Sequence, residues 1–161
     1  MPAPAASMRR QVLLGLQTAL RLILVNPTYH YTVLSTSVTT EPGPQITNIS
    51  PTQLPYFVVE PMADGLREHM PAGRVRNIMQ CLITARVDAE QNPGSASQKM
   101  LAWENLIADI EVALTRDITL GGIVIDTRVL EPQPASDIGG GPMVIVVQPV
   151  QVRFIRPYGT P

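Results

Sequence analysis

Two regions of the chain space their hydrophobic residues like one face of an α-helix. In the first region Leu and Ile recur three or four positions apart, which is the helical period. Ser7 is a suitable N-cap for this helix, and Asn26-Pro27 would end it. The second region, starting at a possible capping box from Ser95 to Gln98, has apolar spacings of 3, 4, 3 and 4. The two predicted apolar stripes are Leu13, Leu16, Leu20, Ile23 and Leu24, and Met100, Trp103, Ile107, Ile110 and Leu114.

Alternation of apolar and polar residues predicts β-strands between and after these helices. It is clearest in residues 77–88, where every second side chain is apolar, as in a half-buried strand. That apolar face consists of Met79, Cys81, Ile83, Ala85 and Val87. Further strands are predicted at residues 29–38, 56–60, 123–129 and 143–155. Pro149 interrupts the last strand, and proline cannot donate to a ladder, so we expect that strand at a sheet edge or with a bulge there.

The order of elements predicts the fold class. Helix, three strands, helix and two strands favour an α+β fold, in which a largely antiparallel or mixed β-sheet is flanked by two main α-helices. The 161 residues suit one domain, 1–161. Proline and glycine cluster in residues 39–55 and 131–142, which we expect to be extended loops or hairpin arms. The apolar run at residues 12–25 is interrupted by Gln17 and Arg21 and is shorter than the roughly 20 residues of a membrane span, so no membrane partner is expected.

Composition narrows the function classes. Charged residues make up 16% of the chain, below the usual share of about 25%, so we expect partners to cover part of the surface. The net charge of −1 gives no field that would draw the protein to nucleic acid. Aromatic residues, at 4%, are too few for a base-stacking surface. Specific nucleic-acid binding is therefore not expected.

Catalytic and metal-binding patterns are weak. His30 and His69 lie far apart, with no Cys or His at ligand spacing, so a zinc site is not expected. Cys81 lies in an apolar strand face, where a buried thiol is inert. Gly121-Gly122 follows a helix and lacks a Gly-Lys-Ser/Thr continuation, which favours a helix C-cap and turn over a phosphate loop. We therefore predict no catalytic, cofactor-binding or metal-binding residues, and no enzyme.

A charged group is predicted near the C-terminus. Asp126 and Arg128 share the polar face of one strand, and Arg153 lies on the returning strand. No second acid stands beside Asp126 in the sequence, so a carboxylate pair for catalysis is not indicated. Ion pairing across the strands or between subunits is favoured instead.

Two segments carry a resemblance to a known family. Residues 113–130 read ALTRDITLGGIVIDTRVL, and the chain ends VIVVQPVQVRFIRPYGTP. This combination resembles the tail-terminator and tail-completion proteins of tailed bacteriophages, in which a helix runs into a Leu-Gly-Gly strand ending near an Asp. A variable hairpin and a last strand with an aromatic-arginine segment and a Tyr-Gly-Asp-Pro-like end follow. The matching positions are Asp117, Leu120, Gly121, Gly122, Val124, Asp126, Arg153, Phe154, Tyr158, Gly159 and Pro161, while Thr160 stands where an acid is commoner.

The resemblance implies a structural role in a virion. Family members are subunits that form a ring, usually a homohexamer, on the last ring of the tail tube, and they stop tube growth and join the tail to the neck. The implied partners are further copies of the chain, the tail-tube protein, a neck, stopper or head-completion protein, and a sheath protein where the tail has one. DNA would pass through the lumen, no cofactor is implied, and assembly would take place in the host cytoplasm. The implied interface residues are Leu120, Gly121, Gly122, Asp126, Arg128, Arg153, Phe154 and Tyr158.

Two alternatives remain open from the sequence. A neck or head-completion connector would share the ring symmetry but would bind portal-side proteins first. A small enzyme or ligand-binding domain would use Asp126, Cys81 or His30.

Overall fold

The computed structural model describes residues 7–24, 26, 28–40, 49–89, 99–133 and 143–157. Its helices and strands are α1 (Met8–Arg21), β1 (Val38–Thr39), β2 (Tyr56–Met70), β3 (Arg74–Asp88), α2 (Lys99–Thr115), β4 (Asp126–Val129) and β5 (Met143–Pro157). The five strands form one mixed sheet in the order β1-β2-β3-β5-β4. Only the β1–β2 pair is parallel. The predicted α+β fold, a mostly antiparallel sheet with two helices, is confirmed.

Helix α1 begins as its sequence predicts. The Ser7 side chain accepts a hydrogen bond from the Arg10 backbone N–H at 3.3 Å, which confirms the predicted N-cap. The helix buries Val12, Leu16 and Leu20 and ends at Arg21, five residues before Asn26. Ile23 is buried but lies beyond the helix.

Helix α2 buries a wider face than the predicted stripe. Ile107, Ile110 and Leu114 are buried as expected, whereas Met100 is 59% exposed. The additional buried residues are Ala102, Leu106, Asp109 and Ala113. The predicted capping box lies outside the described residues.

Strand β3 is the centre of the sheet. It pairs antiparallel with β2 on one side and with β5 on the other. Its predicted apolar face is buried from Met79 to Val87 and belongs to one hydrophobic cluster that also contains residues of α1 and α2. Both helices therefore cover the same face of the sheet. On the opposite face a small cluster of Ile49, Leu54, Tyr56 and Val58 packs separately.

The predicted strand at residues 29–38 is largely wrong. Only Val38 and Thr39 pair with another strand. Tyr29, Tyr31 and Val33 are buried at alternate positions, as in a strand. However, the backbone N–H groups of His30 and Tyr31 bond to a side chain of α2, and that of Val33 bonds to the Ile23 carbonyl. The alternation therefore describes an extended segment packed on the core.

The edge position predicted for Pro149 is also wrong. β5 lies between β3 and β4, and Pro149 faces Leu82 of β3 without a register shift. The N and O atoms of a strand residue point to the same side, and the Pro149 carbonyl accepts from Leu130 N–H at 3.0 Å. The missing N–H therefore faces the end of β4, where the Leu130 carbonyl instead accepts from the Gln148 side chain. An interior strand tolerates this proline because a side-chain amide replaces the lost donor.

The arms differ in part from the prediction. Residues 41–48 and 134–142 of the predicted arms lie outside the described residues. The described part of the first arm contains a short 3-10 turn at Pro51–Gln53. Strand β2 is longer than predicted. The predicted strand at residues 56–60 continues to Met70 and forms a hairpin with β3. Neither described helix is long and apolar enough to cross a bilayer.

Candidate functional site

The turn between α2 and β4 is organised by one carboxylate. Asp117 accepts hydrogen bonds from Thr119 Oγ1 at 2.6 Å, Gly121 N–H at 2.7 Å and Thr119 N–H at 3.0 Å. These bonds, led by that from the Thr119 hydroxyl, hold the pKa of Asp117 below its usual value. The carboxylate is therefore ionised near neutral pH and fixes the path of the turn.

The same turn contains three residues with positive φ. Their values are 49° at Leu120, 73° at Gly121 and 82° at Gly122. A Cβ on either glycine would meet no atom within 4 Å, so glycine is favoured there only by the backbone conformation. Leu120 adopts this costly conformation with its side chain buried against Gly15 of α1, where an added Cβ would lie 3.1 Å from the Leu120 Cβ. The turn is thus docked onto α1.

An open groove of about 530 Å³ lies between α1 and this turn. Leu14 and Gly15 of α1 and Leu22 just after it form one side, and Leu120 and Ile123 lie on the other. Leu14 is 41% exposed and Leu22 is 55% exposed. The polar residues around this apolar centre include Gln11, Thr18, Arg116 and Asp117. We call this feature the α1 groove.

A charged pair joins β4 to β5 close to the turn between α2 and β4. Asp126 and Arg153 are direct cross-strand neighbours, and Arg153 Nε donates to Asp126 Oδ1 at 2.5 Å. The Arg153 terminal nitrogen contacts the other carboxylate oxygen, and Arg128 Nε lies 3.4 Å from it. The Arg153 hydrogen bond lowers the pKa of Asp126 against the opposing effect of burial, with help from the charges of Arg153 and Arg128. The same bond raises the pKa of Arg153.

The predicted interface residues divide into four groups. Asp126 and Arg153 are partly buried and form the cross-strand pair. Gly121, Gly122 and Arg128 are exposed. Leu120 and Phe154 are buried, and Phe154, only 3% exposed, belongs to the core of the subunit. Tyr158 lies outside the described residues.

The sequence missed a buried carboxylate. Asp109 of α2 is fully buried and accepts from the backbone N–H groups of His30 and Tyr31 at 2.9 Å. Its Oδ1 also lies 2.8 Å from Nδ1 of the half-exposed His30 ring. The sequence did contain a pattern that predicts this burial, because Asp109 lies three residues after Leu106 and four before Ala113, on the same helix face. Neither His30 nor Asp109 lines the α1 groove.

Cys81, one of the residues that an enzyme would use, lies in the core. Burial raises the pKa of the Cys81 thiol to about 12, against a smaller opposite effect of Arg9, so the thiol is protonated near neutral pH. Among the described residues no three His, Cys, Asp or Glu side chains could hold a metal ion together. Two features of the described surface are the α1 groove and the partly buried Asp126–Arg153 pair.

No protein-family model matches this chain, and no curated protein matches its sequence at a significant level.

Proposed function

We propose that this protein is a structural component of a phage virion that forms a ring, in the hexameric form usual for such rings, at the head-proximal end of the tail tube. It would end tube polymerisation and join the tail to the neck. The observation that supports this most is that the described residues carrying the family resemblance form one unit. The turn at Asp117–Gly122 leads into β4, and the Asp126–Arg153 pair fastens β4 to the last strand.

A closed ring needs two different surfaces on each subunit. A heterologous contact, in which one patch meets a different patch of the next copy, closes when its rotation divides a full turn. Exposed apolar side chains occur at several separate places, among them Leu14 on α1, Leu22 just after this helix, and Met62 and Leu66 on β2. A stable contact of this kind buries at least about 1,000 Å². The low charge content favours such covered surfaces.

Termination requires that the outer face of the ring resist a further tube subunit. A free strand edge would template growth. β1 pairs with β2 only at Phe57 and Val58, so among the described strands none borders the rest of the outer side of β2. That edge carries Pro61, and its pairing with β3 shifts register between Pro61 and Asp64 and again before Arg67. A proline and such irregularities disfavour strand addition.

The test is a phage that lacks this gene. We expect lysates with overlong tails or tails not joined to heads, because nothing stops the tube or connects it. Tails of normal length that join to heads would overturn the proposal. Purified protein added to isolated tubes should bind one end only, as seen by electron microscopy. Tails of normal length that fail to join heads, with the protein bound to the portal side, would favour the connector alternative.

One observation favours a second candidate function, a ligand-binding domain. The α1 groove, at about 530 Å³, falls in the size range of small-molecule sites, roughly 300–1,000 Å³. A thermal-shift screen with metabolites tests this. A ligand at about 100 times its dissociation constant adds about 2.7 kcal/mol to the free energy of unfolding and should raise the melting temperature by several degrees.

A further inference from the structure

We propose that copies of this chain associate side by side, so that α1 of one copy packs against α2 of the next, and that opposite charges on these two helices set the contact that builds the ring. This inference rests on the proposed ring function and identifies the two surfaces that meet. The occupant of each surface is a second copy of this chain.

The two helices lie at opposite ends of one layer. The strand order is β1-β2-β3-β5-β4. α1 packs mainly over β1 and β2, and α2 packs mainly over β3, β4 and β5, on the same face of the sheet. The side of α1 that is turned away from α2 therefore lies at the β1 edge of the subunit, and the side of α2 that is turned away from α1 lies at the β4 edge. When two copies lie edge to edge, these two sides meet.

The side of α1 at the β1 edge is basic. Gln17 Nε2 donates to the Val38 carbonyl of β1 at 2.7 Å, and a terminal nitrogen of Arg21 donates to the same oxygen at 3.4 Å, which places this side of the helix. Arg10 lies about three helical turns before Arg21 and therefore shares its side. Both arginines are exposed, and α1 contains no acidic residue.

The outer side of α2 is acidic. Asp109 and Ala113 mark the side that faces α1, because Asp109 holds the segment that follows α1 and Ala113 lines the α1 groove. Glu104 and Glu111 lie about two turns apart on the opposite side of the helix, and both are exposed. Met100 lies one turn before Glu104 and is 59% exposed.

These four charges are not neutralised within their own copy. Among the described residues no ion pair involves Arg10, Arg21, Glu104 or Glu111, and the carbonyl that Arg21 contacts has no net charge. The arginines are about 16 Å apart along the α1 axis, and the glutamates are about 10 Å apart along α2. Long side chains cover a difference of about 3 Å at each end. Since each surface has two like charges, either relative direction of the helices pairs arginine with glutamate.

Apolar side chains lie among these charges. Leu14 is 41% exposed on α1, and Leu101 is 37% exposed beside Met100 on α2. The contact would bury this apolar surface within a rim of paired charges, as protein interfaces commonly do, and the charges would mainly fix its orientation and rate of formation. The two surfaces differ, so each copy uses α1 towards one neighbour and α2 towards the other. Such a chain of contacts closes into a ring if the rotation per subunit permits.

The experiment uses full-length variants with reversed charges. The α1 variant carries Arg10→Glu and Arg21→Glu, the α2 variant carries Glu104→Arg and Glu111→Arg, and a third protein carries all four changes. The control carries Arg74→Glu and Arg156→Glu, the same change in net charge at the far end of β3 and β5. Circular dichroism would verify that every variant folds, and analytical ultracentrifugation over a concentration series gives the oligomeric state.

We expect rings for the wild type, for the control and for the protein with all four changes. The α1 variant alone and the α2 variant alone should need about tenfold more protein or beyond, because each contact exchanges two attractive ion pairs for two repulsive ones. A 1:1 mixture of these two variants presents glutamates to arginines at every contact, so rings of alternating subunits should return. Added salt should weaken the wild-type rings.

Four outcomes would each overturn the proposal. They are rings of the α1 or α2 variant alone at the wild-type concentration, a mixture that stays monomeric, a protein with all four changes that stays monomeric, and a wild type that is monomeric at every concentration. A monomeric wild type whose binding to tube ends is lost in the α1 variant would also overturn it, and would assign the basic surface to the tube protein.

The outcome is separable from that of the proposed function. Rings of the α1 variant that form like those of the wild type and still bind tube ends would overturn the helix contact alone. Rings that respond to the charge reversals as expected, together with tails of normal length joined to heads in phage lacking the gene, would overturn the tail role alone.

Discussion

At the scale of single residues, Asp109 connects α2 to the extended segment at residues 29–33, which pairs with none of the described strands. Its two oxygens accept from the N–H groups of His30 and Tyr31 and from the His30 ring. A buried carboxylate is normally costly, and here charge-assisted hydrogen bonds offset that cost. The segment that it holds contributes Tyr29, Tyr31 and Val33 to the core.

Asp109→Asn should lower the free energy of unfolding by about 1–3 kcal/mol, the cost of leaving one buried donor without an acceptor. The asparagine retains one acceptor oxygen, but its NH₂ group would face backbone N–H donors. Urea denaturation measures the change. His30→Gln is the control and should cost about 1 kcal/mol or less, because the ring is 47% exposed. An Asp109→Asn protein as stable as the wild type would contradict this account.

Asp126 makes stability depend on acid pH. Its folded-state pKa lies below the unfolded value of about 3.9. The carboxylate therefore stabilises the fold at pH values above about 3.9, and this contribution is lost as the pH falls through the lower folded-state pKa. Asp126→Asn should reduce the melting temperature at neutral pH, and the difference from the wild type should shrink below about pH 4.

Arg153→Gln supplies the matching measurement for this pair. It removes the other partner of the same hydrogen bonds, so it should also lower the melting temperature at neutral pH. Adding it to Asp126→Asn should cost less than the sum of the two single changes, because the pair is already broken. A difference between wild type and Asp126→Asn that stays constant down to the lowest pH of folding would rule out the linkage.

The charged pair could be predicted from the sequence, and the buried carboxylate was missed. Alternation on two strands joined by a hairpin put Asp126 and Arg153 on polar faces that meet when the strands pair, which they do. Asp109 depends on contact with a segment about eighty residues earlier in the chain. Helical periodicity marks its face but does not identify what packs against that face.

At the scale of elements, the turn from α2 to β4 depends on backbone conformation. Gly121 has a φ of 73° with open space where a Cβ would lie. Gly121→Ala should therefore cost about 1 kcal/mol through the left-handed conformation alone. Gly121→Asn should cost less, since asparagine adopts this conformation more readily. Thermal or urea unfolding of both variants tests the prediction, and equal stability of the wild type and the alanine variant would contradict it.

The elements of this fold differ, for physical reasons, in how clearly their sequences predict them. α1 and the centre of β3 combine strong periodicity with burial on one side, so their patterns are clear. The outer half of β2 is exposed at residues 66–69 on both of its faces. Its residues therefore need not alternate between apolar and polar, and Pro61 makes the sequence look still less like a strand. A strand that is exposed on both faces lacks the apolar–polar alternation by which a strand is recognised in the sequence.

At the scale of the whole molecule, the position of β5 within the sheet could not be obtained from local pattern. Pro149 suggested an edge, but the order of strands depends on pairings between distant segments. The Gln148 side chain that compensates for the proline is recognisable only when β4 is in place beside it. The residues of a strand determine which hydrogen bonds it can make, whereas its position in the sheet depends on all the strand pairings together.

One hydrophobic cluster contains residues of α1, α2, β2, β3 and β5, so the described parts should unfold together. Trp103, the single tryptophan, packs against this cluster, and its fluorescence reports tertiary packing, while circular dichroism reports helices and sheet. We expect the two urea curves to coincide, as in a two-state transition. If copies associate, the midpoint should also rise with protein concentration. Separate transitions would instead mean that the chain contains more than one folding unit.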